Sequence, residues 1–394
     1  MKNKEIKRRL IAEIEKLKDK KGFVMAGLPR FGRLFGRDSL IVSWQLLDFD
    51  SKICRNTLEI LSKLQGKKMD RFHEEEPGKI IHETDVMLHP ENPRSPFPYY
   101  GSVDSTPLYL ILFAFYFQKT GDKKFIKKYW KNILAAIDWM KKYGDLDRDG
   151  FLEYQRKTPE GRFHQGWKDW KEDPLGIIPP VAIVEVQGYK YLALKEMTKI
   201  AELFNKSKLA GDLEKKAEKL KKDFNQKFWM PDKKYFVLAL DGKKRQRKAI
   251  TSNPGHLLFT GIIEDNKVDF VVKKLFQPDL WTPFGIRTHS TKEPDFNSKS
   301  YHLGSIWPHD NWIIAQGLQK LGFKEEYEKI KEAIFSAYEE LGFLPECYGV
   351  ENQKIVPVPE SCYPQAWATG TLFNFLRLGP PEKLFQIPLR VFRW

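Results

Sequence analysis

The alternation of short and long connections between helical segments constrains the fold of this chain most strongly. Apolar residues recur at helical spacing in twelve segments, residues 3–20, 38–49, 51–65, 104–120, 122–143, 181–206, 208–229, 254–263, 265–277, 305–321, 323–341 and 362–378. Joints of two or three residues, as at 48–50 and 120–122, alternate with long loops at 66–103, 145–180, 278–303 and 342–360. Long loops without regular structure are uncommon in compact domains and usually carry function.

Helices that pair as hairpins around a closed ring place the short turns on one rim and the long loops on the other. The sequence therefore predicts an all-α fold, an (α/α) barrel whose long loops form one mouth. Strand-like pieces such as 233–242 are too few for a β-rich domain, and no change in composition marks a linker. We expect a single domain over residues 1–394.

The net charge of +15, from 67 lysines and arginines against 52 acidic residues, fits either an anionic partner or solvated helix faces. We favour solvated faces, because lysine alternates with apolar residues in 123–144 and 213–228. The sequence has no arginine-rich tail, RNP aromatic pattern or zinc-finger spacing. It predicts no nucleic-acid partner, and it does not determine the oligomeric state.

The cysteines and the N-terminus bear on cellular location. Cys54, Cys347 and Cys362 are odd in number and far apart, which argues against a disulfide scaffold or a zinc site. The first 22 residues are charged throughout and lack the apolar core of a signal peptide. No apolar run approaches the length of a membrane span. We expect a cytoplasmic protein without a membrane partner.

The stretch HQGWKDW, residues 164–170, places Asp169 between two tryptophans in a long loop. Trp167 and Trp170 can stack on the C–H-rich faces of a sugar. Tryptophans also exclude water from a neighbouring carboxyl group, which favours the protonated form that a general acid needs. The alternative is a core tryptophan pair beside a solvated aspartate.

Polar residues also open two predicted helices. In FGRLFGRDSL, residues 31–40, the guanidinium of Arg37 can donate to one hydroxyl of a sugar while Asp38 accepts from the next. The alternative is a helix-capping aspartate beside a surface arginine. His309 opens the helix in GSIWPHDNWIIAQGL, residues 304–318, where it is either a site residue or a structural histidine.

A second carboxylate completes the candidate site. Glu346 follows a proline in the loop GFLPECYG, residues 342–349, and Gln365 and Trp367 open the last helix. Asp169 and Glu346 lie far apart in the chain, and a closed ring of helices is what can bring them face to face. Glycoside hydrolysis uses such a pair, an acid for the leaving oxygen and a base or nucleophile. We therefore expect a carbohydrate site with Asp169 as the proton donor.

Eight motifs occur in the order found in a known family, FGRDSLI, GSVDSTPL, GDLDRDGFLEY, QGWKD, EVQGYKYLA, SIWPHDN, LPE and PQAWATG. Over roughly residues 22–379 the chain resembles the glucosidase domain of glycogen debranching enzymes, the amylo-α-1,6-glucosidase family. The resemblance implies an (α/α)6 barrel related to glucoamylase. It also implies an exo-acting enzyme without a cofactor that releases glucose from an α-1,6-linked glucoside with inversion of configuration.

The resemblance assigns roles to individual residues. Asp169 would be the general acid and Glu346 the general base that activates water. Arg37 and Asp38 would bind the terminal sugar. Further residues would surround that sugar, namely Trp167, Lys168, His309, Gln365 and Trp367.

Other features leave alternatives open. Trp170 stands where the family usually has a small residue. The sequence of residues 380–394 does not predict the closing helix that the family implies, so segment 3–20 is expected to take its place. A small α-glycoside is an alternative substrate, as in the mannosylglycerate hydrolases of the same fold, and the positive charge suits an acidic aglycone. A disaccharide phosphorylase and a non-catalytic carbohydrate-binding barrel are further alternatives.

The segment DLDRDG has aspartates at 145, 147 and 149, the one-three-five spacing of a calcium loop. Arg156 stands at the twelfth position, where a calcium loop has an acidic ligand, and Glu153 at the ninth is a weaker ligand candidate. We favour a polar turn and predict no metal site here, with calcium binding as the alternative.

Overall fold

The structure is a computed structural model that describes residues 2–84, 97–170 and 175–377. Its α-helices are α1 Lys2–Leu17, α2 Gly36–Gln45, α3 Ser51–Leu64, α4 Ser105–Thr120, α5 Lys123–Lys128, α6 Trp130–Lys142, α7 Val184–Leu203, α8 Ser207–Lys227, α9 Leu257–Thr260, α10 Asp265–Leu275, α11 Pro308–Leu321, α12 Lys324–Leu341 and α13 Ala366–Arg377. A 3₁₀ turn, Asn253–His256, leads directly into α9.

Six of these helices form a closed inner ring. In the order α2, α4, α7, α9, α11 and α13, each helix packs against the next, and α13 returns to α2. The outer layer is built by α1, α3, α6, α8, α10 and α12. Five of these helices pack on an inner helix, and α10 packs on the 3₁₀ turn that leads into α9. The predicted (α/α)6 barrel is therefore confirmed.

The composition of the helices explains which layer each one joins. Helix α4 is apolar on all faces and is buried from Ser105 to Ala114, as an inner helix must be when both neighbours and the outer layer cover it. Helix α8 belongs to the outer layer and buries a single stripe, Ala210, Leu213, Ala217, Leu220 and Phe224, while its lysines face solvent. In the lysine-rich segments at 123–144 and 213–228, most lysines thus face solvent, as we favoured from the sequence.

Each predicted helical segment contains a helix, but several boundaries differ. The segment 122–143 is divided at Tyr129 into α5 and α6, and 254–263 is mostly the 3₁₀ turn and the four-residue α9. Helices α7 and α11 begin later than predicted because Ile183 and Trp307 have extended backbones. Pro308 is then the first residue of α11, a position that proline favours.

Short antiparallel ladders connect the loops. They consist of β1 Leu34–Phe35 with β2 Glu83–Thr84, β3 Ala182–Ile183 with β6 Ala239–Leu240, β6 with β7 Gln246–Arg247, β4 Trp229–Met230 with β5 Tyr235–Phe236, β8 Trp281–Thr282 with β9 Gly285–Ile286, and β10 Gly349–Glu351 with β11 Lys354–Val356. None of these strands exceeds three residues. They hold the long loops in place on the helical ring.

The N-terminal helix α1 packs against α13 in the outer layer, the position that segment 3–20 was expected to take. Arg9 donates from Nη1 to the carbonyl of Gly342 at 2.7 Å, and Tyr363 donates to Glu13 at 2.6 Å, so the two ends of the described chain are joined by polar contacts. Residues 380–394 lie outside the described residues. No helix in the described part of the chain is long and apolar enough to cross a membrane.

Candidate active site

The starts of the inner helices meet at the mouth of the barrel, and each brings a polar side chain. These are Arg37 and Asp38 on α2, Asp104 before α4, Glu185 on α7, His256 before α9, Asp310 on α11 and Gln365 before α13. Contacts between different helices show the convergence: Arg37 Nη1 lies 3.1 Å from Asp104 Oδ2, and His256 Nε2 lies 2.7 Å from Asp310 Oδ1.

A cavity of about 860 Å³, its open mouth included, lies at this convergence. Six of the nine residues to which the resemblance assigns a role line it, Arg37, Asp38, Trp167, Asp169, Glu346 and Trp367. The remaining lining residues are Arg30, Phe31, Phe35, Arg162, Trp170, Tyr301, Trp307 and Glu360. The fold therefore brings the two carboxylates, the Arg37–Asp38 pair and an aromatic wall into one space.

Three predicted site residues stand behind the wall of this cavity. Lys168 donates its ammonium proton to the carbonyl of Thr288 at 2.8 Å. The fully buried ring of His309 stacks on Trp367, with ring centroids 3.8 Å apart and planes at 11°. Gln365 Nε2 lies 3.4 Å from Asp38 Oδ1 and 3.4 Å from Glu346 Oε1. These side chains hold the lining residues in position.

The carboxylate of Asp169 is surrounded by nitrogen atoms on one side. Its Oδ2 atom lies 3.2 Å from Arg37 Nη2, 3.3 Å from His82 Nε2 and 4.0 Å from Arg162 Nε. The tryptophan shelter expected around Asp169 is present only in part, because Trp170 packs edge-on against His302 at 5.1 Å. Charge pairing with arginine, which the local sequence did not indicate, dominates this environment.

Arg37 connects several parts of the mouth. Its Nη1 atom contacts Asp104 and also donates to the carbonyl of Gly166 at 2.9 Å, while its Nη2 atom reaches Asp169. The guanidinium is only 4% exposed. Burial alone would lower the pKa of Arg37, but the carboxylates of Asp104, Asp169 and Asp38 raise it, so the side chain stays charged.

Two polar atoms of the Arg37–Asp38 pair have no hydrogen-bond partner in the described part of the chain. Nε of Arg37 and Oδ2 of Asp38 are both buried and 3.8 Å apart. Burying a polar group without a partner is costly, which makes these atoms candidates for ligand contacts. Arg37 Nε is a hydrogen-bond donor and Asp38 Oδ2 is an acceptor. Of two adjacent sugar hydroxyls, one can accept from Arg37 and the other can donate to Asp38.

The raised carboxyl pKa values of the cavity belong to Glu346 and Asp38. The pKa of Glu346 is raised to about 7, mainly by burial; the nearby Asp38 contributes to this rise, and the Tyr301 hydroxyl and the Cys362 amide oppose it. Burial also raises the pKa of Asp38 to about 7, although Arg37 opposes the effect. A general base must be ionised to take a proton from water. The pKa of Glu346 is nevertheless raised, because Glu346 is 2% exposed and has no cationic partner among the described residues.

Several residues of the site were not predicted from the sequence. Asp104 directly precedes α4, where an aspartate commonly caps a helix, but its side chain makes no capping hydrogen bond and instead contacts Arg37. His82 and Arg162 lie in two of the long loops without a local motif. Asp104 could have been predicted from its position in GSVDSTPL, one of the eight motifs that carry the family resemblance. No local pattern marks His82 or Arg162.

In the acidic loop of residues 145–149, the carboxylates contact the ammonium group of a lysine of the same chain, Lys244. Carboxylate oxygens of Asp145, Asp147 and Asp149 lie within 4.8 Å of one another. Lys244 Nζ lies 2.9 Å from Asp149 Oδ2 and also contacts Asp147 and Glu153. The positive charge of the Lys244 ammonium thus compensates the negative charges that the one-three-five spacing of the aspartates brings together.

Comparisons with known proteins agree with this architecture. Residues 35–352 match the family described as "Mannosylglycerate hydrolase MGH1-like glycoside hydrolase domain". Among solved structures, the chain is similar to the GH63 mannosylglycerate hydrolase of Thermus thermophilus in complex with glucose, with a TM-score of 0.72 and 14% identity over 94% of this chain and 99% of that one. The same enzyme in complex with Tris and D-glycerate gives a TM-score of 0.72 and 13% identity, with the same coverage of each chain.

Another protein of Thermus thermophilus, described as an uncharacterized conserved protein, gives a TM-score of 0.75 and 14% identity over 94% of this chain and 100% of that one. At such identities the likeness to solved structures establishes the fold alone. A comparison with curated protein sequences finds no match.

Proposed function

The chain belongs to the family of MGH1-like glycoside hydrolase domains, and on that basis we propose that it hydrolyses a small α-glycoside with an acidic aglycone, with inversion of configuration. Membership of this family confirms the prediction of a glycoside hydrolase with a barrel fold. It does not support a specific relationship to the glucosidase domain of debranching enzymes, so glucose release from an α-1,6 linkage becomes the second candidate function.

The observation that carries the proposal is the presence of Asp169 and Glu346 in one cavity. In the proposed reaction, Asp169 protonates the oxygen of the leaving group while Glu346 removes a proton from the attacking water. No covalent bond to the protein forms. Asp169 ends the step deprotonated and Glu346 protonated, and solvent exchange restores both.

The Arg37–Asp38 pair would hold the terminal sugar. Its two unpartnered atoms, Nε of Arg37 and Oδ2 of Asp38, are matched to adjacent hydroxyls, and the ring of Trp367 offers an apolar surface for the sugar face. Binding energy from these contacts orients the scissile bond toward the carboxylates. This arrangement supports an exo-acting enzyme.

Arginines in the cavity support an acidic aglycone. Arg30 lines the cavity and donates to the carbonyl of Glu360 at 2.8 Å, yet no carboxylate among the described residues pairs with its guanidinium. A guanidinium with free donors can bind a carboxylate through two parallel hydrogen bonds. In this proposal Arg30 contacts the carboxylate of a glycerate-like aglycone.

A second candidate is an α-1,6-glucosidase of the debranching type, which the motifs QGWKD and PQAWATG favour. A phosphorylase would use phosphate as its nucleophile and would not need Glu346 as a base. The presence of both carboxylates also supports an enzyme over a purely carbohydrate-binding barrel.

The deciding experiment is a substrate panel of mannosylglycerate, glucosylglycerate, isomaltose, panose, limit dextrin, maltose and trehalose, with released monosaccharide as the readout. Asp169→Asn is the matched inactive control. We expect free sugar from a glycerate glycoside. Glucose from isomaltose or panose alone would favour the second candidate, and phosphate-dependent sugar phosphate would identify a phosphorylase.

A further inference from the structure

Lysines from three helices face a second cavity on the outside of the barrel. Lys141 lies on α6, Lys190 on α7 and Lys216 on α8, and all three line a space of about 620 Å³, its open mouth included. Lys219 also lines this space, as do Asp145, Asp149 and Asp223. We call this space, defined by the three lysines, the lysine pocket. It shares no lining residue with the cavity that contains Asp169 and Glu346.

Three ammonium groups of the lysine pocket, those of Lys141, Lys190 and Lys216, form no ion pair with the described part of the chain. Among the described residues, no carboxylate oxygen lies within 4.0 Å of the ammonium groups of Lys141, Lys190 or Lys216. Lys190 is only 8% exposed, and its ammonium donates to the carbonyl of Gly150 at 2.9 Å. A buried ammonium group has three protons to donate, and two of those on Lys190 have no acceptor in the described part of the chain.

The lysines also repel one another. Burial lowers the pKa of Lys216, and the neighbouring Lys141 lowers it further. Burial lowers the pKa of Lys190 to about 8; Asp145 and Asp149 oppose this effect, and Lys216 adds to it. An anion placed among the three groups would relieve this repulsion.

The acidic residues of the pocket wall are largely paired with cations. Asp223 pairs with Lys219, which also lines the pocket, and Asp149 pairs with Lys244 at 2.9 Å. Asp145 accepts from the amide of Gly150 with Oδ2, and its buried Oδ1 atom has no hydrogen-bond partner among the described residues. The balance of free charge in the pocket is positive.

The remainder of the pocket is apolar. Met140, Phe151, Leu194 and Leu220 form this part of the lining, and each is at least nine-tenths buried. The volume lies in the range of small-molecule sites, which combine an apolar lining with a few charged groups. The pocket therefore offers an apolar surface next to a cluster of ammonium groups.

We propose that the lysine pocket binds a phosphate monoester, with the phosphate among Lys141, Lys190 and Lys216 and the organic group on the apolar surface. Lysine binds phosphate as a point charge, and three lysines match a dianion better than a single carboxylate. The proposal is independent of the catalytic assignment, because the two cavities have no residue in common.

The test is calorimetric titration of the full-length protein with phenyl phosphate, inorganic phosphate and benzoate. We expect phenyl phosphate to bind with a Kd about tenfold lower than either of the others, because only it combines a dianion with an apolar body. Lys216→Gln and Lys141→Gln are exposed changes and should each weaken binding of phenyl phosphate about tenfold. Lys190→Met should weaken it at least as much if the variant folds.

Lys215→Gln is the matched control, since this exposed lysine lies next to Lys216 on α8 and does not line the pocket. It should leave the Kd within about twofold of the wild type. Arg30→Gln controls for binding in the cavity that contains Asp169 and should also have no effect. Absence of binding at millimolar phenyl phosphate, equal Kd values for Lys216→Gln and Lys215→Gln, or loss of binding in Arg30→Gln would each overturn the proposal.

Discussion

The Nη2 atom of Arg37 lies 3.2 Å from Oδ2 of Asp169, although 132 residues separate them in the chain. His82 approaches the same oxygen at 3.3 Å. Among the described residues these contacts converge on Oδ2, which leaves Oδ1 as the oxygen that can carry a proton toward a substrate. The proposed general acid is thus positioned by residues from two other segments.

The first prediction concerns the two carboxylates. Asp169→Asn should lower kcat about 10²–10⁴-fold on substrates with poor leaving groups and much less on activated aryl glycosides, which need no protonation. Glu346→Gln should lower activity on both, and azide should partly restore it by replacing water as the nucleophile. Kinetics on paired natural and aryl glycosides test this. Equal losses on both substrate types for Asp169→Asn would exclude its role as general acid.

The stereochemical outcome is a separate prediction. An inverting enzyme needs roughly 6.5–9.5 Å between its carboxyl groups to leave room for water, against about 5–5.5 Å in a retaining enzyme. In the proposed reaction, water attacks the anomeric carbon directly, from the face opposite the leaving oxygen. Proton NMR during hydrolysis of an α-linked substrate should therefore show the β-anomer first. Initial release of the α-anomer would contradict the proposed role of Glu346 as a base.

The third prediction concerns Arg37. Arg37→Lys keeps a positive charge but cannot contact Asp104 and Asp169 at the same time, so we expect both low activity and a loss of about 3–5 kcal/mol in the free energy of unfolding. Arg245→Lys is the matched control, because Arg245 is 61% exposed and pairs with Asp241 at 2.7 Å. It should change stability by less than about 1 kcal/mol. Denaturant unfolding measures both, and similar losses would refute the structural role of Arg37.

The pH dependence follows from the pKa of Glu346, which burial raises to about 7. As a base, Glu346 must be ionised, so kcat/KM should fall as the pH decreases below about 7. The raised pKa also means that the folded state binds this proton more tightly than the unfolded chain. The stabilising contribution is complete below the ordinary glutamate pKa of about 4.3 and is lost as the pH rises through about 7.

Glu346→Gln removes this titration. The variant should be more stable than the wild type at pH 8, by about 1–3 kcal/mol, and the difference should shrink toward pH 4. Asp38, whose pKa burial also raises to about 7, is still present in the variant, so part of the pH dependence should remain. Unfolding measured across this pH range checks the sign, and a larger gain at pH 4 than at pH 8 would contradict it.

The last prediction concerns Lys244 in the acidic loop. Lys244→Met leaves the carboxylates of Asp147, Asp149 and Glu153 without their shared ammonium, so we expect a loss of about 1–2 kcal/mol. Millimolar calcium should raise the Tm of this variant and leave the wild type unchanged. Lys243→Met, at the neighbouring position, is the control. Calcium stabilisation of the wild type would show that the loop binds metal despite Lys244.

The barrel and much of the site could be predicted from the amino-acid sequence. Helical periodicity and connection length are local properties, so twelve segments and their alternating joints were enough to predict two layers of helices. Unusual residues in long loops identified Asp169 and Glu346, and six of the nine candidate residues line one cavity. The motif order indicated a barrel glycoside hydrolase, although the family it named was too specific.

The contacts among the site residues became known from the folded chain. Lys168 and His309 were candidates for sugar contacts, and neither is among the residues that line the cavity. Asp104 contacts Arg37 instead of capping a helix, and burial raises the pKa of both Glu346 and Asp38. Burial and charge pairing depend on distances between residues far apart in the chain, and local spacing along the sequence carries no information about those distances.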